Sequence, residues 1–531
     1  MSYPLITSAF LNVTDECNCR CEYCLPAGEK ILMADGTAKN IEDIQIGDVV
    51  IGTQEQTDHL KRRRMIPTAV IETYQRETNQ YLKITMKDGK TLRLTPNHPV
   101  LNGRGKWTEA KNLREQTDSI MSVNTNKNRL FYCNYIDKIE LIQDKIIVYN
   151  FATTEHTYIA NGLVVHNCFE QKHPHHMSLQ TAKDTVDFLA NNAQKQNDVP
   201  SINFFGGEPT LMWDSIIVPT VLYAKEKHQK FNFGITTNGI LLTEDKLQFM
   251  KEHHFGLLLS IDGDKETQNI NRPLKNGGHS FEILEPKLPM ILQYYPNVMF
   301  RSTVTPDTCN DLFHNMMFAA ESGFKNYFVI PNCFEEWSEE CKLILANEMG
   351  KYTDYYIETM RNNKQPILFS QMEQNFPKII QRNNCITNDT YRPNCQSCGK
   401  CGFGANKSAG ISTDGSIYAC QEFCTNGEYD SLFCIGSIYD SVDEEKILQL
   451  TSTFDNSVVV GDHCEDCILN RICDGFCIAN NYFLYGQLNI VPDIYCEWHR
   501  ILFNCAVKIM QTLGNDNNKL FKQRWDVMVN G

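Results

Sequence analysis

The chain has no export signal, since Met1-Ser2-Tyr3-Pro4-Leu5 offers no basic stretch ahead of an apolar core. It has no uninterrupted apolar run long enough to span a bilayer. It also lacks a basic excess: 50 Lys and Arg stand against 64 Asp and Glu, a net charge of −14. That balance argues against broad binding to nucleic acid or anionic membrane. The basic run Lys61-Arg62-Arg63-Arg64 reads as a solvated loop between strands. These absences predict a cytoplasmic protein that uses neither nucleic acid nor membrane. What the chain does have is cysteine. Twenty-two of them, without an export signal, point to a reducing compartment and to metal ligation instead of disulfides. A length of 531 residues, 42% apolar and 21% charged, suits a soluble globular protein of several domains.

Leu5 to Thr14 is β-rich and reads as a buried strand. It delivers Cys17-Asn18-Cys19-Arg20-Cys21-Glu22-Tyr23-Cys24 at its C-terminal end, where parallel barrels keep their chemistry. From Cys24 the pattern changes to short strands, such as Asp48–Ile51, Tyr81–Thr85 and Thr91–Leu94. Turn signals at Gly36, Gly47 and Asp88-Gly89 separate them. This is an all-β module inside an α/β chain.

Cys24-Leu25-Pro26-Ala27-Gly28, then Ile41–Gly52, Thr95-Pro96-Asn97-His98, and Val148–Asn167 ending His166-Asn167-Cys168 follow in order. That series resembles the splicing blocks of inteins, which have the Hint fold. No homing-endonuclease motif lies between His98 and Val148, so residues 24–167 resemble a mini-intein. The resemblance implies that the Cys24 thiol attacks the Tyr23 carbonyl to form a thioester, with Thr95 and His98 as oxyanion donors and proton relay. Cys168 then takes over the acyl group. Asn167 cyclises while His166 polarises its carbonyl, and an S-to-N shift leaves a Tyr23–Cys168 peptide. One departure stands out: the Asp usual in the block around Val148-Tyr149-Asn150-Phe151 is here Asn150. Splicing is therefore expected to be slower or conditional, with His156 assisting.

Joining Tyr23 to Cys168 gives Cys17-x3-Cys21-x2-Cys168, with Cys19 left as a non-ligand. This resembles the radical S-adenosylmethionine (SAM) superfamily, in which three thiolates hold a four-iron cluster whose open iron binds SAM. Strand and helix patterns then alternate as a partial (β/α)6 barrel requires. Gly206-Gly207-Glu208-Pro209 ends one strand, with the glycines expected to let backbone approach the SAM amine and Glu208 expected to accept from it. Gly234–Gly239 and Leu257–Gly263 end the next two, and Ser260 is expected at the ribose. Arg301 is a candidate for the SAM carboxylate.

The second cysteine field, Cys401-x13-Gly415-x4-Cys420, Cys464-x2-Cys467-x5-Cys473-x3-Cys477 and Cys496, resembles an α+β SPASM domain. That resemblance assigns Cys395, Cys401, Cys420 and Cys477 to one auxiliary 4Fe–4S cluster. It assigns Cys464, Cys467, Cys473 and Cys496 to a second, making three clusters with that of the barrel. Cys398 competes with Cys395, and Cys424 and Cys434 are spare. A pair of structural zinc sites is the competing reading of the same thiols. The expected domains are the barrel at 1–23 and 168–385, the mini-intein at 24–167, SPASM at 386–500, and a helical tail at 501–531, with Trp498–Leu513 an apolar-striped helix.

SPASM enzymes mostly modify peptides or proteins. The resemblance therefore implies maturation of a ribosomally made peptide, with a short cysteine-rich precursor as partner and a flavodoxin or ferredoxin as electron donor. Thioether, carbon–carbon and epimerised products all fit. An anaerobic sulfatase maturase shares the layout, but tends to carry Asp where Gln421 follows Cys420. From a different class, the unspliced chain is a non-catalytic precursor gated by thiol oxidation or zinc.

Overall fold

The computed structural model describes residues 5–18, 24–53, 64–96, 98–123, 131–155, 157–166, 175–228, 230–274, 278–377, 379, 407–424, 430–455, 461, 464–469, 473, 475 and 477–530. They form two compact units: Met1–Cys17 with His175–Asn271 and Ser280–Gly531, and Asn18–Pro174 with Arg272–His279. Among the described residues no helix is long and apolar enough to cross a membrane.

In the first unit, strands Ser8–Thr14, Ser201–Gly206, Asn232–Thr237, Gly256–Ser260, Met299–Val304 and Asn326–Pro331 run parallel as neighbours in that order. Helices connect them, as the alternating pattern requires. The helix Leu179–Gln196 shows how such a connection is punctuated. Ser178 caps its start by accepting from Thr181 N–H at 3.0 Å, and Asn197, at φ 52°, ends it in the left-handed region. One strand face is apolar: Ile202, Phe204, Ile235, Phe300, Tyr327 and Val329 are buried in a single core with helix residues such as Leu189, Val221, Leu247 and Met316. The opposite face carries Phe205, Thr236, Arg301, Thr303 and Phe328, all half-buried. That face and the C-terminal strand ends are where a parallel barrel gathers reacting groups.

The C-terminal region does not fold as a separate body. Its strand Ser408–Ile411 pairs in parallel with Ser8–Thr14, and Ser416–Tyr418 and Cys434–Ser437 extend the same sheet antiparallel. The hairpin turn falls at Asp414-Gly415, as expected, with Gly415 at φ 87°. The expected boundary at 386 lies outside the described residues. The expected break at 501 does not occur: one helix spans Asp493–Asn515 and packs against Glu339–Arg361. Cys496 therefore sits in that helix's first turn. The apolar stripe noted from Trp498 onward in fact starts in the first turn, where Ile494 and Tyr495 are buried.

The second unit is all-β, as the composition break indicated. Its frame is two long antiparallel strands, Met65–Met86 and Phe131–Thr153, bent where the register slips between Ile136 and Lys138 and again between Gln143 and Ile146. Such slips are bulges, which bend and twist a ribbon. Ile84, Leu92, Leu94, Val100, Ile136, Phe151, Tyr158 and Val165 close the core. The hairpin joining Thr157–Ala160 to Leu163–His166 turns at Asn161 and Gly162, at φ 50° and 77°. Two successive positive angles are what a two-residue hairpin turn demands.

Candidate functional site

In the all-β unit the two ends of residues 24–166 meet at one histidine. Cys24 is fully buried. Its N–H donates to Thr95 Oγ1 at 2.9 Å, and the Thr95 N–H returns a bond to the Cys24 carbonyl at 2.9 Å. The chain then turns tightly, His98 N–H donating to the Thr95 carbonyl at 3.0 Å. This aims the His98 ring into the core, where its Nε2–H donates to the His166 carbonyl at 3.0 Å. The Cys24 backbone lies close enough to the same ring to favour its protonated form. Burial holds His98 well below the ordinary imidazole range, at about 3, against the opposing pull of those two backbone contacts. At neutral pH it is a neutral imidazole, able to donate from one nitrogen and accept at the other.

His166 is also fully buried, its ring meeting Trp107 edge-on at 4.7 Å. Sheet pairing explains the convergence: Val165 pairs with Val100, so the strand after His98 lies beside the strand that ends in His166. Thr95 was expected as an oxyanion donor. Its hydroxyl instead accepts from the amide N–H of the Tyr23–Cys24 bond, so it grips the leaving nitrogen. Asn150 is buried, its Oδ1 accepting from Phe151 N–H at 2.8 Å and from Tyr158 Oη–H at 3.3 Å. His156, Asn167 and Cys168 lie outside the described residues. Sequence reasoning missed Trp107, which carries no motif signal and is placed only by the pairing of Trp107–Glu109 with Pro99–Leu101.

The barrel's C-terminal strand ends form the second constellation. Gly206, at φ 127°, and Gly207 are required by chain meeting chain. A Cβ on Gly206 would lie 2.2 Å from the Thr14 carbonyl oxygen, and one on Gly207 would lie 2.3 Å from that of Glu16. Glu208 is buried, with Oε1 accepting from Thr210 N–H at 3.0 Å and Thr237 Oγ1–H at 2.7 Å, and also from the Thr210 hydroxyl. Its Oε2 accepts from Asn238 N–H at 2.8 Å. The carboxylate thus binds two strand ends together and keeps little acceptor capacity for a ligand. Asn238, which was not singled out from the sequence, brings its Nδ2–H to Cys17 Sγ at 3.9 Å. Its signal was an Asn-Gly pair closing a strand. Ser260 and Arg301 are register partners on adjacent strands, so both point to the same face. Cys21 lies outside the described residues.

Of the C-terminal thiols, Cys464 accepts from Gly461 N–H at 2.9 Å, Cys467 from Leu469 N–H at 3.4 Å and Cys473 from Gly475 N–H at 3.4 Å. A Cβ on Gly461 would come within 2.6 Å of Cys496 Sγ and 3.4 Å of Cys464 Sγ, so these two sulfurs flank one bare backbone position. Backbone N–H groups aimed at sulfur suit thiolates, and such bonds tune iron–sulfur centres. These residues fit a thiolate-bound centre in donor chemistry. Among the described residues no group of three or more side chains is gathered closely enough to hold a metal ion. Cys420 Sγ–H meets Gln421 Oε1 at 3.4 Å, and Cys477 precedes the helix Ile478–Tyr485. Cys395 and Cys401 lie outside the described residues.

Comparison with known proteins finds both domains. The Pretoxin HINT domain family matches residues 30–168, and the Radical SAM superfamily matches residues 167–317. The chain thus carries a Hint domain and a radical SAM domain, each matched over its own segment. It is 22% identical over 393 residues to the radical SAM cyclopropyl synthase TigE of Paramaledivibacter caminithermalis, covering 72% of this chain and 76% of that one. It is 26% identical over 296 residues to a cysteine-type anaerobic sulfatase-maturating enzyme of Clostridium perfringens, covering 52% and 73%. A solved structure of polyhistidine-tagged anSMEcpe with bound AdoMet superposes with a TM-score of 0.50 at 21% identity, over 67% of this chain and 90% of that one. This last likeness shows the shared fold. The radical SAM match implies SAM and a 4Fe–4S cluster as cofactors.

Proposed function

We propose that the chain is a self-splicing precursor. Residues 24–167 excise themselves and join Tyr23 to Cys168, completing the loop Cys17-x3-Cys21-x2-Cys168. The observation that carries this reading is His98, whose ring contacts the Cys24 backbone and the His166 carbonyl at once. The N-terminal step needs the Cys24 amide distorted and its nitrogen held, which Thr95 supplies. The C-terminal step needs a donor beside the Asn167–Cys168 bond. His98 anchors the residue before Asn167, and His166 itself is locked by Trp107. Both reactions proceed in a dry core, where a hydrogen bond to developing charge is strongest. Expression in a reducing host followed by intact-mass measurement tests this. A product lacking residues 24–167, with the free insert, is expected, and a single stable species of 61.0 kDa refutes it.

For the spliced enzyme we propose modification of a ribosomally made peptide or protein. Support comes from the two relatives, a cyclopropyl synthase and a sulfatase maturase. When bound, a reduced four-iron cluster held by Cys17, Cys21 and Cys168 supplies the electron that cleaves SAM to a 5′-deoxyadenosyl radical. The chain's own task is placement. The backbone at Gly206 and Gly207, fixed by Glu208, meets the SAM amine, Ser260 meets the ribose, and Arg301 meets the carboxylate. Cys395, Cys401, Cys420 and Cys477 would hold one auxiliary cluster, and Cys464, Cys467, Cys473 and Cys496 the other. Sulfatase maturation is the second reading. It is disfavoured because Gln421, whose side-chain oxygen already meets Cys420, offers no carboxylate base.

A further inference from the structure

Glu29 is only 2% exposed, and no splicing step described above uses it. Its Oε1 accepts from Arg93 Nε–H at 2.6 Å, and its Oε2 accepts from Asn161 Nδ2–H at 2.5 Å and from the Arg93 backbone N–H at 3.4 Å. The other arm of Arg93, Nη2–H, donates to the Ala27 carbonyl at 2.6 Å. Asn161 grips the same segment from the far side. Its Oδ1 accepts from Lys30 N–H at 2.8 Å, and its own N–H donates to the Lys30 carbonyl at 2.8 Å. Its Nδ2–H also reaches the Thr91 carbonyl at 2.8 Å.

These three side chains stand on three separate pieces of chain, each a short step from a reacting group. Glu29 lies five residues after Cys24, Arg93 two before Thr95, and Asn161 five before His166. Surface ion pairs contribute little to stability or order. This one differs, because the carboxylate side is 3% exposed and each partner makes a second bond to backbone. Gly28, at φ 89°, turns the chain against the guanidinium, and a Cβ there would lie 3.3 Å from Arg93 Nη2.

We infer that Glu29, Arg93 and Asn161 form a positioning bracket for splicing, with Glu29 as its hub. The bracket keeps the Cys24 segment, the Thr95–His98 turn and the His166 strand in one register. Misplacing reacting groups by about an ångström costs large rate factors, so loosening the hub slows both ends of the reaction. The inference rests on the splicing reading above.

The test measures two half-reactions in the full chain. Release of residues 1–23 by dithiothreitol in an Asn167→Ala background reports thioester formation. Cleavage after Asn167 in a Cys24→Ala background reports cyclisation. Glu29→Gln is expected to slow both at least tenfold, with the all-β unit still melting cooperatively well above the assay temperature. Arg93→Lys, which keeps the charge but cannot reach Glu29 and Ala27 together, is expected to give a smaller loss in both. A purely structural role would move the melting temperature and leave the rates within twofold of the parent, and that result overturns the inference. Should Glu29→Gln fail to fold, Arg93→Lys decides by the same twofold criterion. A parent chain that neither cleaves nor ligates overturns the splicing reading itself, an outcome distinct from a splicing parent matched by Glu29→Gln.

Discussion

Protonating His98 should unlock the all-β unit, and the size of the effect follows from its burial. A free imidazole titrates near 6.5, whereas His98, fully buried, is held at about 3. The native state is the poorer proton binder, so the stability conferred by neutral His98 is fully present above pH ~6.5. It is lost progressively as pH falls from there toward 3. Each pH unit in that window costs about 1.4 kcal/mol, giving roughly 2 kcal/mol by pH 5 and about 5 kcal/mol once the ring is forced to protonate. The assay is denaturant unfolding of a Cys24→Ala/Asn167→Ala chain at pH 7, 6 and 5. It is followed through hydrogen exchange of the segment 91–96, whose strand pairs with Met65–Met86. His98→Gln should flatten the acid limb by the same ~2 kcal/mol. An unchanged limb in His98→Gln, or a His98 ring that titrates above pH ~5 by NMR, would refute the reasoning. A corollary concerns rate: with His98 neutral from about pH 5 to 8, thioester formation should show no inflection near 6.5 arising from this residue.

Other expectations follow from single groups. Cys24→Ala together with Asn167→Ala should trap a 61.0 kDa precursor, whereas Cys168→Ala should lose ligation and the barrel cluster together, both read by intact mass and iron content. Glu208→Gln puts an amide N–H₂ against the donors of Thr210, Thr237 and Asn238 in a buried site. The spliced enzyme should lose about 1–3 kcal/mol in a melt. Gly207→Ala drives a methyl into the Asp15 and Glu16 carbonyls and should weaken SAM binding, measured by calorimetry, along with stability. Anaerobic reconstitution should yield about twelve irons per spliced chain for three four-iron clusters. Zinc at the C-terminal thiols would defeat the auxiliary assignment.

The residues proposed for splicing were singled out because that chemistry forces fixed residue types in a fixed order, and the structure draws four of them, Cys24, Thr95, His98 and His166, together. The strand ends of the barrel were legible for the same reason, each closing an apolar run with a polar group. What stayed hidden has physical causes. The long ribbon was read as short strands because its middle, around Asp137 to Ile147, is largely exposed and shows no alternation. Spacing also could not reveal that Thr237 and Asn238, a strand away, donate to the Glu208 carboxylate. Trp107 and the Glu29 bracket were invisible, since they depend on contacts 59 to 132 residues apart in sequence that no local pattern encodes. The parallel pairing of Ser408–Ile411 with Ser8–Thr14 stayed hidden because it leaves no trace in composition.

Where the insert interrupts the chain has a consequence for the cluster. On the proposed reading Cys24 and Cys168 compete for one place in the loop, and the surroundings of Cys24 disfavour it. Its side chain is fully buried, and its N–H and carbonyl are both spent on Thr95. A thiolate ligand must reach a metal that enters from solvent, so a thiol sealed in a protein core is withheld. A site with two thiolates holds a four-iron cluster poorly, because each ligated iron needs its own cysteine. On the proposed splicing reading, excision and cluster assembly are ordered events, with Cys168 becoming a ligand only after it has served as acceptor. Chelating iron during expression should leave splicing untouched, whereas blocking splicing with Asn167→Ala should leave the barrel site empty even in iron excess. Cluster absorbance at the barrel site of that variant would break the order.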